Sequence, residues 1–101
     1  MEYLELSKQE RSTVTLQGRG TAGYRWSFTV DDPRLVLVEH LVAERKPGEE
    51  FPQGSVNEQF VLTGQDAGET IVRFSQARPF ETTKPPIATR FILVRVRADS
   101  P

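Results

Sequence analysis

The sequence predicts an all-β fold, an antiparallel β-sandwich of six to eight short strands formed by one domain over residues 1–101. Apolar and polar residues alternate with a period of two in several separate runs, and the prolines and most glycines fall between those runs. No segment shows a helical stripe with caps. A chain of 101 residues is long enough to bury one core without metal or disulfide staples.

The clearest predicted strand is Tyr24–Val30, where four large side chains alternate with small or charged ones and indicate one half-buried face. Trp26 lies on that face, and its indole N–H is expected to find a buried carbonyl. The run Leu35–Val42 is more continuous, which fits a strand covered on both faces. The other alternating runs are Thr13–Gln17, Phe60–Leu62, Glu69–Gln76 and Ile92–Arg97.

The connections between the runs fall into two kinds. Asp66-Ala67-Gly68 is predicted to be a tight turn, and so is Asp31-Asp32-Pro33, whose adjacent carboxylates before proline are typical of turn formers rather than of catalysts. Three other connections are longer than packing requires, and loops of about 12 residues or more without structure of their own are usually functional or disordered. They are Gly18–Gly23, Glu44–Glu58 and Arg78–Thr89.

The composition argues against several classes of function. The formal net charge is −1, from 13 basic and 14 acidic residues, and no Lys/Arg run forms the stripe of a nucleic-acid binder. No stretch of about 18 apolar residues predicts a membrane span. Without cysteine and with a single histidine, the chain is expected to hold no metal and no cofactor. Because Met1–Leu6 does not resemble a secretory signal, we expect a cytoplasmic protein if the chain is complete as given, and a periplasmic or secreted one if a leader has been removed.

Catalytic chemistry is not indicated either. His40 lies inside the Leu35–Val42 run, where a packed or edge-strand histidine is a simpler interpretation than a general base. Gly18-x-Gly20-x-x-Gly23 precedes a strand instead of opening a helix, so it does not predict a dinucleotide site, and we expect its glycines to permit a bent loop with positive φ. A binding module is therefore favoured over an enzyme or a carrier of small ligands.

Arg78-Pro79-Phe80 places a guanidinium, a stiff ring and an aromatic side chain together where the strand Glu69–Gln76 ends. Loop tips usually carry Gly, Asn, Asp and Ser. An aromatic side chain at such a place either folds back over its own domain or stays available to a partner. Both interpretations of Phe80 are open at this point.

The three long connections together resemble the motifs of the chagasin family, small inhibitors of papain-like cysteine peptidases. The first, Arg19–Trp26 (RGTAGYRW), is similar to the family's Asn-Pro-Thr-Thr-Gly followed by an aromatic residue, a spacer and Trp. The second, Gln53–Phe60 (QGSVNEQF), is similar to its small-residue, glycine-rich segment, and the third is Arg78-Pro79-Phe80. No single motif is specific, so the resemblance rests on the ordered set, which spans roughly residues 13–98.

The chain departs from the family pattern within the first two motifs. Arg19-Gly20 replaces Asn-Pro, and Ala22 replaces the second threonine, which removes one hydroxyl. Val56-Asn57 stands where glycine and a small polar residue are usual, and a β-branched residue does not take positive φ cheaply. These departures bear on affinity and target range.

The resemblance implies an immunoglobulin-like sandwich with three functional loops at one end. It also implies that the protein is not an enzyme. It implies a reversible, competitive inhibitor of papain-like (clan CA) cysteine peptidases, acting as a monomer, whose loops enter the active-site cleft with the middle loop across the catalytic cysteine. The alternative is an immunoglobulin-like interaction module without inhibitory activity. The peptidase-binding residues so implied are Thr21, Ala22, Gly23, Tyr24, Gly54, Ser55, Val56, Asn57, Arg78, Pro79 and Phe80.

Overall fold

A computed structural model describes residues 2–18, 23–41, 57–81 and 83–98 of the chain. In this part of the chain there are seven β-strands, and there is no helix long and apolar enough to cross a lipid bilayer. The strands are β1 (Glu2–Ser7), β2 (Arg11–Leu16), β3 (Arg25–Val30), β4 (Val36–Leu41), β5 (Glu58–Gly64), β6 (Gly68–Ala77) and β7 (Ala88–Arg97).

The strands form two sheets. The four-stranded sheet has the order β1-β7-β6-β3, and the three-stranded sheet has the order β2-β5-β4. Neighbouring strands are antiparallel except for β1 and β7, which run parallel. The predicted all-β sandwich of six to eight strands is confirmed, with one parallel pair where only antiparallel pairing was expected.

Inward-facing side chains of both sheets make one core. Phe60 and Phe74 lie in it with ring centroids 5.2 Å apart, and neither is more than 1% exposed. Every second residue of a strand points to the same face, which is why the period of two predicted most of these strands. The buried cluster consists of Leu6, Val14, Leu16, Val36, Val38, Phe60, Leu62, Val72, Phe74, Ile92, Val94 and Val96.

The strand β3 is an edge of the four-stranded sheet and is only half-buried, as predicted. Trp26 and Val30 pack against the core while remaining partly exposed. Phe28 meets Phe60 edge-on at 5.8 Å but is still 38% exposed. An edge strand has a neighbour on one side only, so its inward face is incompletely covered.

The strand β4 is also an edge strand. The prediction that both of its faces are covered is therefore wrong. Val36 and Val38 are buried, whereas Leu37 and Leu41 are 42% and 38% exposed. A sandwich covers only the inner face of each sheet, so the outward leucines meet solvent. His40 lies on this edge strand, as predicted, and its ring stacks on Phe60 with centroids 4.7 Å apart.

Both predicted turns are present. Gln65, Asp66 and Ala67 separate β5 from β6, and Gly68 has a φ of +145°. After β3, the N–H of Leu35 donates to the Asp32 carbonyl at 3.1 Å. The Asp31 carboxylate accepts two hydrogen bonds from Arg73 at 3.2 Å, so this carboxylate has a structural partner.

Candidate functional site

The three long connections leave the sandwich at one end. In the three-stranded sheet, the last residues of β2 and β4 pair with the first residues of β5. In the four-stranded sheet, the first residues of β3 and β7 pair with the last residues of β6. The strand ends that flank residues 17–24, 42–57 and 78–87 are therefore neighbours within each sheet.

Hydrogen bonds between the sheets bring the two sets of strand ends together. The backbone carbonyl of Gln17 accepts from the Trp26 indole at 2.9 Å and from the Gln76 side-chain amide at 3.1 Å. The backbone N–H of Trp26 donates to the Glu58 carboxylate at 3.1 Å. The Trp26 indole thus has the predicted carbonyl partner, although Gln17 is exposed rather than buried, because it has already left the sheet.

The first and third loops are in direct contact. Gly23 has a φ of +85°, the positive value expected of the bent loop. A β-carbon at Gly23 would lie 3.8 Å from Arg78 Nε and 4.0 Å from Phe80 Cζ. The guanidinium carbon of Arg78 lies 4.6 Å from the centre of the Tyr24 ring, which is a cation–π distance.

The third loop begins as a tight turn. The Glu81 N–H donates to the Arg78 carbonyl at 3.0 Å, and the Ile87 N–H donates to the Gln76 carbonyl at 2.8 Å at the base of the loop. The Glu81 carboxylate accepts a hydrogen bond from the Arg78 guanidinium at 3.1 Å. Arg78 is therefore held between the Tyr24 ring and the Glu81 carboxylate.

Phe80 is not folded back over the end of the sandwich. It is 75% exposed, although the tip of its ring approaches Gly23. Pro79 beside it is exposed as well. Of the two interpretations of this aromatic side chain, the structure agrees with the one in which it stays available to a partner.

Asn57 is the last residue of the middle loop and lies within the described part of the chain. Its side-chain oxygen accepts a hydrogen bond from the Gly18 N–H at 3.3 Å, which ties the end of the middle loop to the start of the first. The structure therefore brings Gly23, Tyr24, Asn57, Arg78, Pro79 and Phe80 to the same end of the molecule. The other predicted site residues, Thr21, Ala22, Gly54, Ser55 and Val56, lie outside the described residues.

Two inward-facing polar residues at the base of these loops, one buried and one mostly buried, were not among the predicted site residues. Gln76 is 2% exposed, and the Glu58 side chain is 11% exposed. Both were open to detection from the sequence pattern, because each occupies an inward-facing position of an alternating run. Gln76 lies two residues after the inward-facing Phe74, and Glu58 lies two residues before the inward-facing Phe60.

The chemistry of this end suits recognition. An exposed aromatic ring, two braced side chains and turn backbone face solvent together, as expected of a preformed binding edge. Within the described ranges, no three His, Asp or Glu side chains are placed to hold a metal ion.

Solved structures share this fold. The cysteine protease inhibitor EhICP2 from Entamoeba histolytica is similar with a TM-score of 0.74 and 19% identity, over 94% of this chain and 85% of that chain. Amebosin gives a TM-score of 0.64 at 23% identity, over 94% and 88%. PbICP-C, solved in complex with falcipain-2, gives 0.64 at 20% identity, over 94% and 86%. A comparison with curated protein sequences gives no match.

The sequence also matches a family profile. The profile described as "Chagasin family peptidase inhibitor I42" covers residues 5–94, which include all three motifs. Because the family consists of peptidase inhibitors, the prediction of an inhibitor rather than an enzyme is confirmed at the level of the family. This chain belongs to the chagasin family of peptidase inhibitors.

Proposed function

We propose that this chain is a reversible, competitive inhibitor of papain-like (clan CA) cysteine peptidases, and that its three loops enter the active-site cleft. Family membership supports the inhibitory role. The description of EhICP2 as a cysteine protease inhibitor and the complex of PbICP-C with falcipain-2 support this class of partner. One observation carries the mode of binding: the Tyr24 ring contacts Arg78, Gly23 lies beside the Arg78–Phe80 turn, and Phe80 is left 75% exposed.

Each loop has its own part in this mechanism. Residues 54–57 cross the catalytic cysteine of the enzyme in a geometry that cannot be cleaved, with extended backbone pairing in the groove as a substrate would. Thr21–Tyr24 fill one side of the cleft, and Arg78–Phe80 fill the other. Phe80 stacks on an aromatic side chain of the enzyme, while Arg78 braces the loop.

Rigidity accounts for the affinity expected of such an edge. Arg78 is already held by Tyr24 and Glu81 before any partner arrives, so docking has little side-chain entropy to remove. A nanomolar complex needs about −12 kcal/mol. A few aromatic and backbone anchors at the centre of an interface supply most of such a binding energy.

The test is a titration of papain with the wild-type chain at several substrate concentrations. Inhibition at sub-micromolar protein is expected, with an apparent Ki that rises linearly with substrate and an end point of one chain per active peptidase. Phe80→Ala is expected to raise Ki at least about tenfold, which is about 1.4 kcal/mol. Its Tm is expected to stay close to the wild-type value, because the ring buries little surface in its own fold.

Tyr3→Ala is the matched control for this change. Tyr3 is 55% exposed and pairs with Leu93 in β7, away from the loop end, so its removal is expected to leave both Ki and Tm unchanged. Phe80→Ala with a much lower Tm and intact inhibition would contradict the assignment of Phe80. Complete inertness of the wild-type chain against several papain-like peptidases would favour an interaction module instead.

A further inference from the structure

The Glu58 carboxylate lies beneath the meeting point of the loops. Glu58 is the first residue of β5 and directly follows the middle loop. Its side chain leaves the three-stranded sheet and reaches β3 in the other sheet, where one oxygen accepts the Trp26 N–H at 3.1 Å. The side chain is only 11% exposed, and glutamate is seldom buried to this degree without a specific partner.

The second carboxylate oxygen of Glu58 faces β4 as well as β3. It lies 3.3 Å from His40 Nε2 on β4 and 3.8 Å from Arg25 Nε on β3. His40 stands one residue before the last residue of β4, where the middle loop begins. A side chain of the strand that leaves the middle loop therefore contacts both the strand that enters that loop and the strand that leaves the first loop.

Stability alone is a poor reason for such a residue. A buried carboxylate loses its hydration, and well-packed apolar residues of similar volume usually hold two sheets together as well or better. A charge-assisted hydrogen bond to a backbone N–H instead fixes a position, because it is short and directional. The Trp26 N–H lies two residues after Tyr24, so this bond fixes the exit of the first loop.

We propose that Glu58 is a positioning residue: by accepting the Trp26 N–H, it holds the first and middle loops at the spacing that fits the peptidase cleft, without touching the peptidase itself. This inference rests on the proposed function. The length of the Glu58 side chain and its acceptor oxygen matter most for this role, and its charge matters less. Two conservative variants separate these properties.

Glu58→Asp keeps the charge but is one methylene too short to reach Trp26, whereas Glu58→Gln keeps the reach and an acceptor oxygen. For papain, Ki is expected to rise at least about tenfold for Glu58→Asp and to stay within about threefold of wild type for Glu58→Gln. Glu69→Asp, an exposed position at the far end of β6, is the matched control and is expected to inhibit as wild type. All titrations are made well below the Tm of each variant.

Hydrogen exchange supplies a readout that does not need the peptidase. The Trp26 amide of ¹⁵N-labelled protein is expected to exchange at least about tenfold faster in Glu58→Asp than in wild type, and at a similar rate in Glu58→Gln. The chain has one tryptophan, so its single indole resonance reports the neighbouring bond to Gln17 without overlap.

The outcomes are distinct. Glu58→Asp that inhibits as tightly as wild type, Glu58→Gln as weak as Glu58→Asp, or an unchanged exchange rate for Trp26 would each overturn the positioning role. If the wild-type chain does not inhibit papain and Trp26 exchange still responds to Glu58→Asp, the proposed function fails while the anchoring of the loop bases stands.

Discussion

Arg78 and Phe80 lie two residues apart and are in opposite situations. Arg78 is held by the Tyr24 ring on one side and by Glu81 on the other. Phe80 lies with the tip of its ring beside Gly23 and leaves most of its surface in solvent. At the residue scale, the site therefore separates a side chain that fixes the loop from one that is free to bury surface against a partner.

Gly23 is the residue on which this arrangement depends most directly. Its φ of +85° suits glycine, while a β-carbon there would find ordinary contact distances of 3.8–4.0 Å to Arg78 and Phe80. Gly23→Ala is therefore expected to destabilise the fold through backbone strain alone, by about 1 kcal/mol. Thermal unfolding should show a Tm lower by about 4–8 °C. Gly23→Asn, which tolerates positive φ better, should lose less, and an unchanged Tm for Gly23→Ala would contradict the strained conformation.

At the scale of elements, β1 is integral to the sandwich although it lies outside the predicted strands. It pairs in parallel with β7, and Leu6 in it is 1% exposed. It also packs closely on the end of β5: a β-carbon at Gly64 would lie 2.5 Å from the Ser7 carbonyl oxygen and 3.4 Å from Leu6 Cβ. The absence of a side chain at Gly64 is what lets these two strands approach.

Leu6→Ala tests the contribution of β1. Removing a fully buried leucine side chain is expected to lower the free energy of unfolding by about 2–5 kcal/mol, because of lost burial and the cavity that remains. Urea denaturation measures this loss. Tyr3→Ala on the same strand is expected to stay within about 0.5 kcal/mol of wild type, and a Leu6→Ala variant that matched it would show that β1 is not part of the cooperative core.

The sequence was informative wherever one face of a strand is buried, because burial on one face imposes the period of two seen in β2, β3, β6 and β7. It was not informative for β1, whose burial depends on a partner strand about 90 residues away in the chain. It was misleading for β4, because a continuous apolar run does not reveal that the strand lies at an edge and that Leu37 faces solvent.

Part of the candidate site was likewise predictable from the sequence and part was not. The motifs predicted which loops meet, since strand connections of a sandwich gather at its two ends. The contacts beneath the loops were beyond a one-dimensional pattern. Glu58 reaching Trp26, and Gln76 reaching Gln17, depend on the distance between two sheets, which alternation does not encode.

At the scale of the whole molecule, Arg90 on β7 links both sheets. Its guanidinium forms a bidentate ion pair with Glu2 of β1 and also donates to the Thr15 carbonyl of β2 at 3.2 Å. The hydrogen bond from Arg90 holds the pKa of Glu2 below its ordinary value of 4.5, with burial acting in the opposite direction. The same pairing raises the pKa of Arg90.

This pair predicts a specific dependence of stability on pH. The pKa of Glu2 is lower in the folded state, so the pair stabilises the fold above the unfolded pKa, and this contribution is lost as the pH falls through the folded pKa. Glu2→Gln is therefore expected to have a lower Tm than wild type at neutral pH, by at most a few degrees because both side chains are partly exposed. The gap should close in strong acid.

Circular dichroism melts from neutral pH to strong acid measure this gap. Tyr3→Ala, next to Glu2 on the same strand, controls for any general weakening of β1, and its difference from wild type should not vary with pH. A gap between Glu2→Gln and wild type that stays constant into strong acid would contradict the role of the ion pair.

The direction of β7 has a practical consequence. This strand starts beside the third loop and runs to the opposite end of the sheet, so Ala98 emerges at the end away from Phe80. A biosensor chip or a fluorescent fusion coupled through residue 98 would leave Tyr24 and the Arg78–Phe80 turn unobstructed. Under the proposed function, a tethered form of this chain should therefore bind a papain-like peptidase as tightly as the untethered form does.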